Sequence, residues 1–191
     1  MQKLYIIAGP NGAGKTTASY SILPDIFKCF EFVNADEIAK GLSPFNPDSV
    51  GIQAGRLMLN RIDELIEKER TFAFETTLAT KSYYSRIKRV KKLGYEVILL
   101  FLCLNSSELA IRRVKTRVIE GGHDIPEPVI KRRFENGLKN FFNRYMPIVD
   151  SWMLIDNSNE NFEFIAKGSF KEISYNNEKK WNELKTKYYG K

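Results

Sequence analysis

Residues 4–17 read Leu-Tyr-Ile-Ile-Ala-Gly-Pro-Asn-Gly-Ala-Gly-Lys-Thr-Thr. The apolar run Leu4–Ala8 has the length and composition of a buried strand. Gly9–Thr16 is a full-length Walker A loop, and Lys15-Thr16-Thr17 can open a helix. Strand, glycine-rich turn and helix N-terminus together aim backbone N–H groups at one point. In such a loop Lys15 reaches the β- and γ-phosphates of a nucleotide and Thr16 holds Mg²⁺. Gly9, Gly12 and Gly14 let the backbone wrap the phosphates, with Pro10, Asn11, Ala13 and Thr17 completing the cradle.

Outward from this stretch, strand and helix patterns alternate. Strands are expected at 30–33, 72–74, 96–104 and 152–155, with a weaker one at 162–166. Helices are expected at 37–39, from Asp48 or Ser49 as cap to about 68, at 83–93, 106–119 and 127–145. The run 96–104 is almost wholly apolar, as in a central parallel strand covered on both faces. The spacing suits βαβ units. The expected fold is α/β: a P-loop NTPase three-layer architecture with a mostly parallel sheet, helices on both faces and a helical lid at about 112–133. One domain spans 1–191, ending in a basic tail at about 169–191 with helix content expected around 178–187.

The chain has 191 residues and a formal net charge of +7, with two cysteines. Two cysteines cannot make a disulfide framework or a cysteine-rich metal site. No apolar run reaches transmembrane length. Met1-Gln2-Lys3 leaves no room for a leader before the first strand, so a cytoplasmic location is expected. The basic residues cluster at 88–92, 112–117 and 131–133. The first cluster reads as a solvated helix face. The other two flank Gly121-Gly122-His123-Asp124-Ile125-Pro126, where a lid can close over a nucleotide.

In doubly wound sheets, ligands sit beyond the C-terminal strand ends. Asp36, Glu75 and Asp156 follow three such strands. Asp36 can accept a hydroxyl proton and hold the nucleophile in line; a helix cap for 37–39 would place an Asp there too. Glu75 can position an acceptor or a metal-bound water, or pair with a nearby Lys or Arg; Thr76 and Thr77 are helpers. Arg113 and Arg117 share a helix face, and Arg132 and Arg133 follow the loop. Such arginines suit phosphate oxygens and the charge of a transferring phosphoryl group. His123 is a candidate substrate contact in the loop, and no second His or Cys near it suggests zinc.

The ordered set of Gly9–Thr17, Asn34-Ala35-Asp36, Phe74-Glu75-Thr76-Thr77, the Arg112–Arg117 helix and Gly121–Pro126 with Arg132-Arg133 resembles the zeta toxin family of small P-loop kinases. The resemblance spans about residues 3–158. It implies ATP and Mg²⁺, with Lys15 on phosphates, Thr16 on the metal and Asp36 as the base. It implies Glu75 at an acidic substrate-binding position, and Arg117 with Arg132 or Arg133 as lid arginines. It also implies a hydroxyl acceptor of the uridine-diphosphate-N-acetylhexosamine type and an antitoxin partner. Competing readings are a nucleoside or metabolite kinase without a toxin role, an ATPase acting with nucleic acid, and a non-catalytic nucleotide-binding module. No interleaved aromatic and basic motif favours nucleic acid, and the Leu-Ser-Gly-Gly-type signature of a transporter ATPase is missing.

Overall fold

The computed structural model describes residues 1–122, 124–169 and 172–190. The strands are β1 (Lys3–Ala8), β2 (Phe32–Val33), β3 (Phe72–Thr76), β4 (Glu96–Cys103), β5 (Ser151–Asp156), β6 (Glu163–Ser169) and β7 (Ile173–Tyr175). They form one sheet in the order β2-β3-β1-β4-β5-β6-β7. The first five run parallel; β6 and β7 are antiparallel additions. The central strands β1 and β4 are buried along almost their full length. Helices must therefore cover both faces.

Those helices are α1 (Lys15–Ser21), α2 (Ala35–Leu42), α3 (Gly51–Glu67), α4 (Tyr84–Lys92), α5 (Ser107–Ile119), α6 (Glu127–Asn140) and α7 (Glu178–Tyr188). Helix α3 places Ala54, Met58, Ile62, Leu65 and Ile66 on its buried side, the i, i+4 stripe of an amphipathic helix. Ser106 caps α5 by accepting from the Leu109 N–H at 3.2 Å, a contact of about 1 kcal/mol. Gly94, at φ +84, ends the turn after α4. This is the P-loop three-layer fold, with the expected helical pair α5–α6 standing over the C-terminal strand ends.

Several boundaries differ from the sequence-based expectation. Strand β2 has only two residues, because Phe30 lies exposed off the sheet edge. Neither Asp48 nor Ser49 caps α3; a 3₁₀ turn at Pro47–Val50 runs directly into it. The helix expected over 127–145 changes to a π-helical turn at Phe141–Tyr145, which packs Phe141 against Phe101 and Trp152. The tail forms α7 where helix content is expected around 178–187, and Trp181, Leu184 and Tyr188 give that helix one apolar stripe at helical spacing. Trp181 stacks on Trp152 with centroids 5.1 Å apart. An aromatic pair of this kind contributes about 1 kcal/mol beyond its buried area.

Candidate active site

Strand β1 leaves the sheet through Gly9 at φ +143. A Cβ there would lie 2.1 Å from the Leu102 carbonyl oxygen of β4, so only glycine allows the turn. Gly14 precedes α1 at φ +75, and among the described residues no side chain caps that helix start. The first-turn N–H groups thus remain turned toward the loop. Lys15 folds back over it: its Nζ donates to the Pro10 carbonyl at 2.9 Å and lies 3.6 Å from Glu75 Oε1. The Thr16 hydroxyl donates to Glu75 Oε2 at 2.8 Å, and Asn34 Nδ2 donates to the same oxygen at 3.0 Å. The Lys15 and Glu75 side chains are only 7% and 9% exposed.

Asn34 has a second task. Its Oδ1 accepts from the Asp36 N–H at 2.8 Å and so caps α2. Asn34, rather than Asp36, is the cap, which leaves the Asp36 carboxylate at the surface of the first turn. Lys15, Asp36, Glu75, Thr76, Thr77, Arg132 and Arg133 all line one cleft of about 610 Å³. Burial lowers the pKa of Arg133, and the nearby Asp36 charge opposes that shift. Its guanidinium donates to Asn11 Oδ1 at 3.3 Å, joining α6 to the glycine loop.

The cleft floor after β3 is held in an uncommon conformation. Leu78 is buried at φ +54. Its N–H donates to Thr76 Oγ1 at 3.0 Å and its carbonyl accepts from Asn140 Nδ2 at 2.7 Å. The Tyr145 hydroxyl donates to the Thr80 carbonyl at 2.7 Å. Burial pushes the Tyr145 phenol up to about 12, so it remains a donor at neutral pH. Helix α6 and its π turn therefore set both the arginines and the opposite wall.

A family model described as Zeta toxin matches residues 2–165. The chain belongs to the zeta toxin family. An uncharacterized protein of Haemophilus influenzae is 33% identical over 132 residues, 69% of this chain and 92% of that protein. A chain of the AvrRxo1-ORF1:AvrRxo1-ORF2 complex superposes with a TM-score of 0.76 at 18% identity, over 96% of this chain and 63% of that one. A chain from the PezAT chromosomal toxin–antitoxin system of Streptococcus pneumoniae superposes with a TM-score of 0.65 at 17% identity, over 100% and 80%. These superpositions show the shared fold. The zeta toxin-type chain described here spans less than two thirds of the AvrRxo1 chain it matches.

Other candidate residues lie away from this cleft. Arg113 Nη1 donates to the Asn157 carbonyl at 2.6 Å and lies 3.5 Å from the Gly12 carbonyl; Nη2 donates to the Ser158 carbonyl at 3.0 Å. It ties the glycine loop to the turn after β5. Arg117 is half-buried on α5, where its carbonyl accepts from the Gly122 N–H at 2.8 Å. Thr17 points to solvent. His123 lies outside the described residues. Asp156 does not face the cleft: it is buried under Ser158 and Lys180.

Three residues at the site had drawn no role from the sequence. Asn34 bridges Glu75 and α2, and its signal was its place directly after β2. Asn136 and Tyr83 line the cleft from two helical segments, where nothing in their spacing sets them apart. A second cavity of about 640 Å³ adjoins through Asp36 and Arg133, bounded by Asp48, Asp124, Ile125 and Val129.

Proposed function

We propose that the protein is an ATP-dependent kinase that transfers the γ-phosphoryl group to a hydroxyl of a small metabolite. The observation that carries this reading is the meeting of Lys15 and Asp36 on one cleft. The glycine loop holds the phosphates, with Lys15 leaving its resting partners Pro10 and Glu75 to meet them. Asp36 accepts the proton of the acceptor hydroxyl. The new bond forms between that oxygen and the γ-phosphorus as the bond to the bridging oxygen breaks, and ADP departs. Arg132 and Arg133 balance the charge of the phosphoryl group in flight. Segment 112–133 serves as a lid that limits water.

Thr16 and Glu75 offer two neighbouring oxygen donors, a set that suits Mg²⁺. When bound there, Mg²⁺ would offset negative charge on the β- and γ-phosphates. Thr76 and Thr77 are then left to orient the acceptor. The family, together with the basic side of the cleft, favours a nucleotide sugar of the UDP-N-acetylhexosamine type as acceptor. The PezAT neighbour belongs to a toxin–antitoxin system; by analogy we infer a cytoplasmic protein partner acting as antitoxin.

The test is phosphoryl transfer from ATP and Mg²⁺ to UDP-N-acetylglucosamine, read by mass spectrometry, with Asp36→Asn as control. A product heavier by one phosphoryl group, lost in the variant, is the expected result. Transfer instead to a sugar or nucleoside in a metabolite panel would keep the kinase and replace the acceptor. ATP binding without transfer to any acceptor would overturn the kinase reading.

A further inference from the structure

The matched family region ends at residue 165, and the chain continues into β7 and α7. That continuation reaches back toward the glycine loop through one half-buried cation, Lys180. Lys180 on α7 donates from Nζ to Asp156 Oδ2, and the same Nζ lies 3.5 Å from Glu163 Oε2. The Asp156 side chain is 1% exposed, whereas that of Lys180 is 25% exposed. Asp156 Oδ1 accepts from the Ser158 N–H at 2.7 Å and from its hydroxyl. Burial works against the Lys180 charge, but the hydrogen bond and charge of Asp156, with Glu163 adding, raise its pKa overall.

The turn fixed by Asp156 holds the nucleotide loop directly. Asn157 Nδ2 donates to the Ala13 carbonyl at 2.9 Å. The Asn157 N–H donates to the Cys103 carbonyl at 3.0 Å, and the Asn157 and Ser158 carbonyls receive Arg113. The Asn157 amide lies close over Gly14, where a Cβ would come 2.6 Å from its Nδ2. Arg113, Ser158 and Glu163 also border a cavity of about 760 Å³ behind the loop, together with Phe162. A continuous set of polar contacts thus runs from α7 to Ala13, two residues before Lys15.

We propose that Lys180 is a positioning residue for the nucleotide site: its ammonium braces the Asp156–Ser158 turn, which in turn holds the glycine loop in its binding shape. A buried carboxylate without its cation must shift or take up a proton. Either change releases the turn and, through Asn157, the loop. The β7–α7 unit thereby becomes part of the nucleotide site without touching the nucleotide. This role rests on the kinase reading only for its ATP readout.

The test compares Lys180→Met, Lys180→Arg and Trp181→Phe. Each is measured by thermal melting, by ATP–Mg²⁺ titration calorimetry, and by hydrogen exchange of the amides at Ala13–Thr16 without nucleotide. Trp181→Phe destabilises the same helix while leaving Lys180 in place. Lys180→Met is expected to speed exchange of the loop amides and to weaken ATP by about fivefold to thirtyfold. Lys180→Arg restores both, and Trp181→Phe lowers the melting temperature with the loop amides and ATP affinity unchanged. Unchanged exchange in Lys180→Met overturns the proposal, as does a Trp181→Phe effect that follows melting temperature in the same way. A wild-type chain that does not bind ATP sinks the kinase reading instead, and the exchange comparison still decides the brace.

Discussion

Two lysine–carboxylate pairs stand at the C-terminal ends of parallel strands, and they are built for opposite ends. Lys15, beyond β1, and Glu75, near the end of β3, sit 3.6 Å apart. Each has other partners: Pro10 for the lysine, Thr16 and Asn34 for the carboxylate. Both line the open cleft. Lys180 and Asp156 are in direct contact at the end of β5, with Ser158 closing the carboxylate's other side. A separated pair with spare partners can yield to a ligand at small cost. A closed pair with one member fully buried cannot, because a stripped charge keeps its desolvation penalty. Under the proposed function, the first arrangement serves chemistry and the second shape.

The largest effects that separate the two fall on turnover. Asp36→Asn is expected to cut the proposed phosphoryl transfer by about 10²–10⁴-fold, the usual size of a general-base contribution, with ATP affinity retained. Lys15→Met is expected to cut it by about 10²–10³-fold and to weaken ATP as well. Calorimetric ATP titration beside transfer assays distinguishes these. In both variants the unfolding free energy should move by less than about 1 kcal/mol, because neither position carries core packing. Strong destabilisation by Lys15→Met would break the contrast with Lys180.

The closed pair should respond in stability, and unequally at its two ends. Lys180→Met strands a carboxylate that is 1% exposed and should cost about 3 kcal/mol. Asp156→Asn strands a lysine whose side chain is 25% exposed and still has Glu163 nearby, so it should cost less, about 1–2 kcal/mol. Urea denaturation of both variants checks the order; equal losses would mean the carboxylate is better solvated than its burial indicates. At the open pair, Glu75→Gln keeps an acceptor for Thr16 and Asn34 but loses the charge. Its expected signature is a Mg²⁺ requirement raised about tenfold with a near-native melt.

The same contrast explains what the sequence could convey. The glycine loop is legible because its function needs particular residues at fixed spacing over eight consecutive positions. The meeting of Asp36 and Glu75 on one cleft is legible because parallel-sheet topology gathers strand ends there. The central strands are legible from their continuous apolar runs. The helix of the tail is legible but its packing is not, because its apolar stripe of Trp181, Leu184 and Tyr188 is diluted by lysines, and one of those lysines is the partner of Asp156. Arg113 reads as a nucleotide contact by residue type and helix position, and its guanidinium also fits backbone carbonyls of the turn after β5 and of the glycine loop. Residue type names the chemistry a side chain can do; only the partner placed across from it, often distant in sequence, decides which use prevails.

The smallest effect concerns pH and tests whether charge, rather than packing of the lysine stem, is what Lys180 supplies. The pKa of Lys180 is raised above its ordinary value of 10.5 in the folded chain. Its charged form therefore contributes stability that is fully present below 10.5 and is lost as pH rises through the higher folded value. The groups facing it are Asp156 on β5, Glu163 on β6 and Cys103 on β4. Burial and the Asp156 charge raise the Cys103 thiol far above its usual range, so it remains neutral across this window. Unfolding free energies of wild type and Lys180→Met should thus differ by a constant amount from neutral pH to about 10 and converge above 10.5. A difference that persists undiminished as the ammonium loses its proton would assign the effect to the four-carbon stem packed beside Asp156. The closed pair would then be a packing contact, and its contrast with Lys15 and Glu75 would rest on geometry alone.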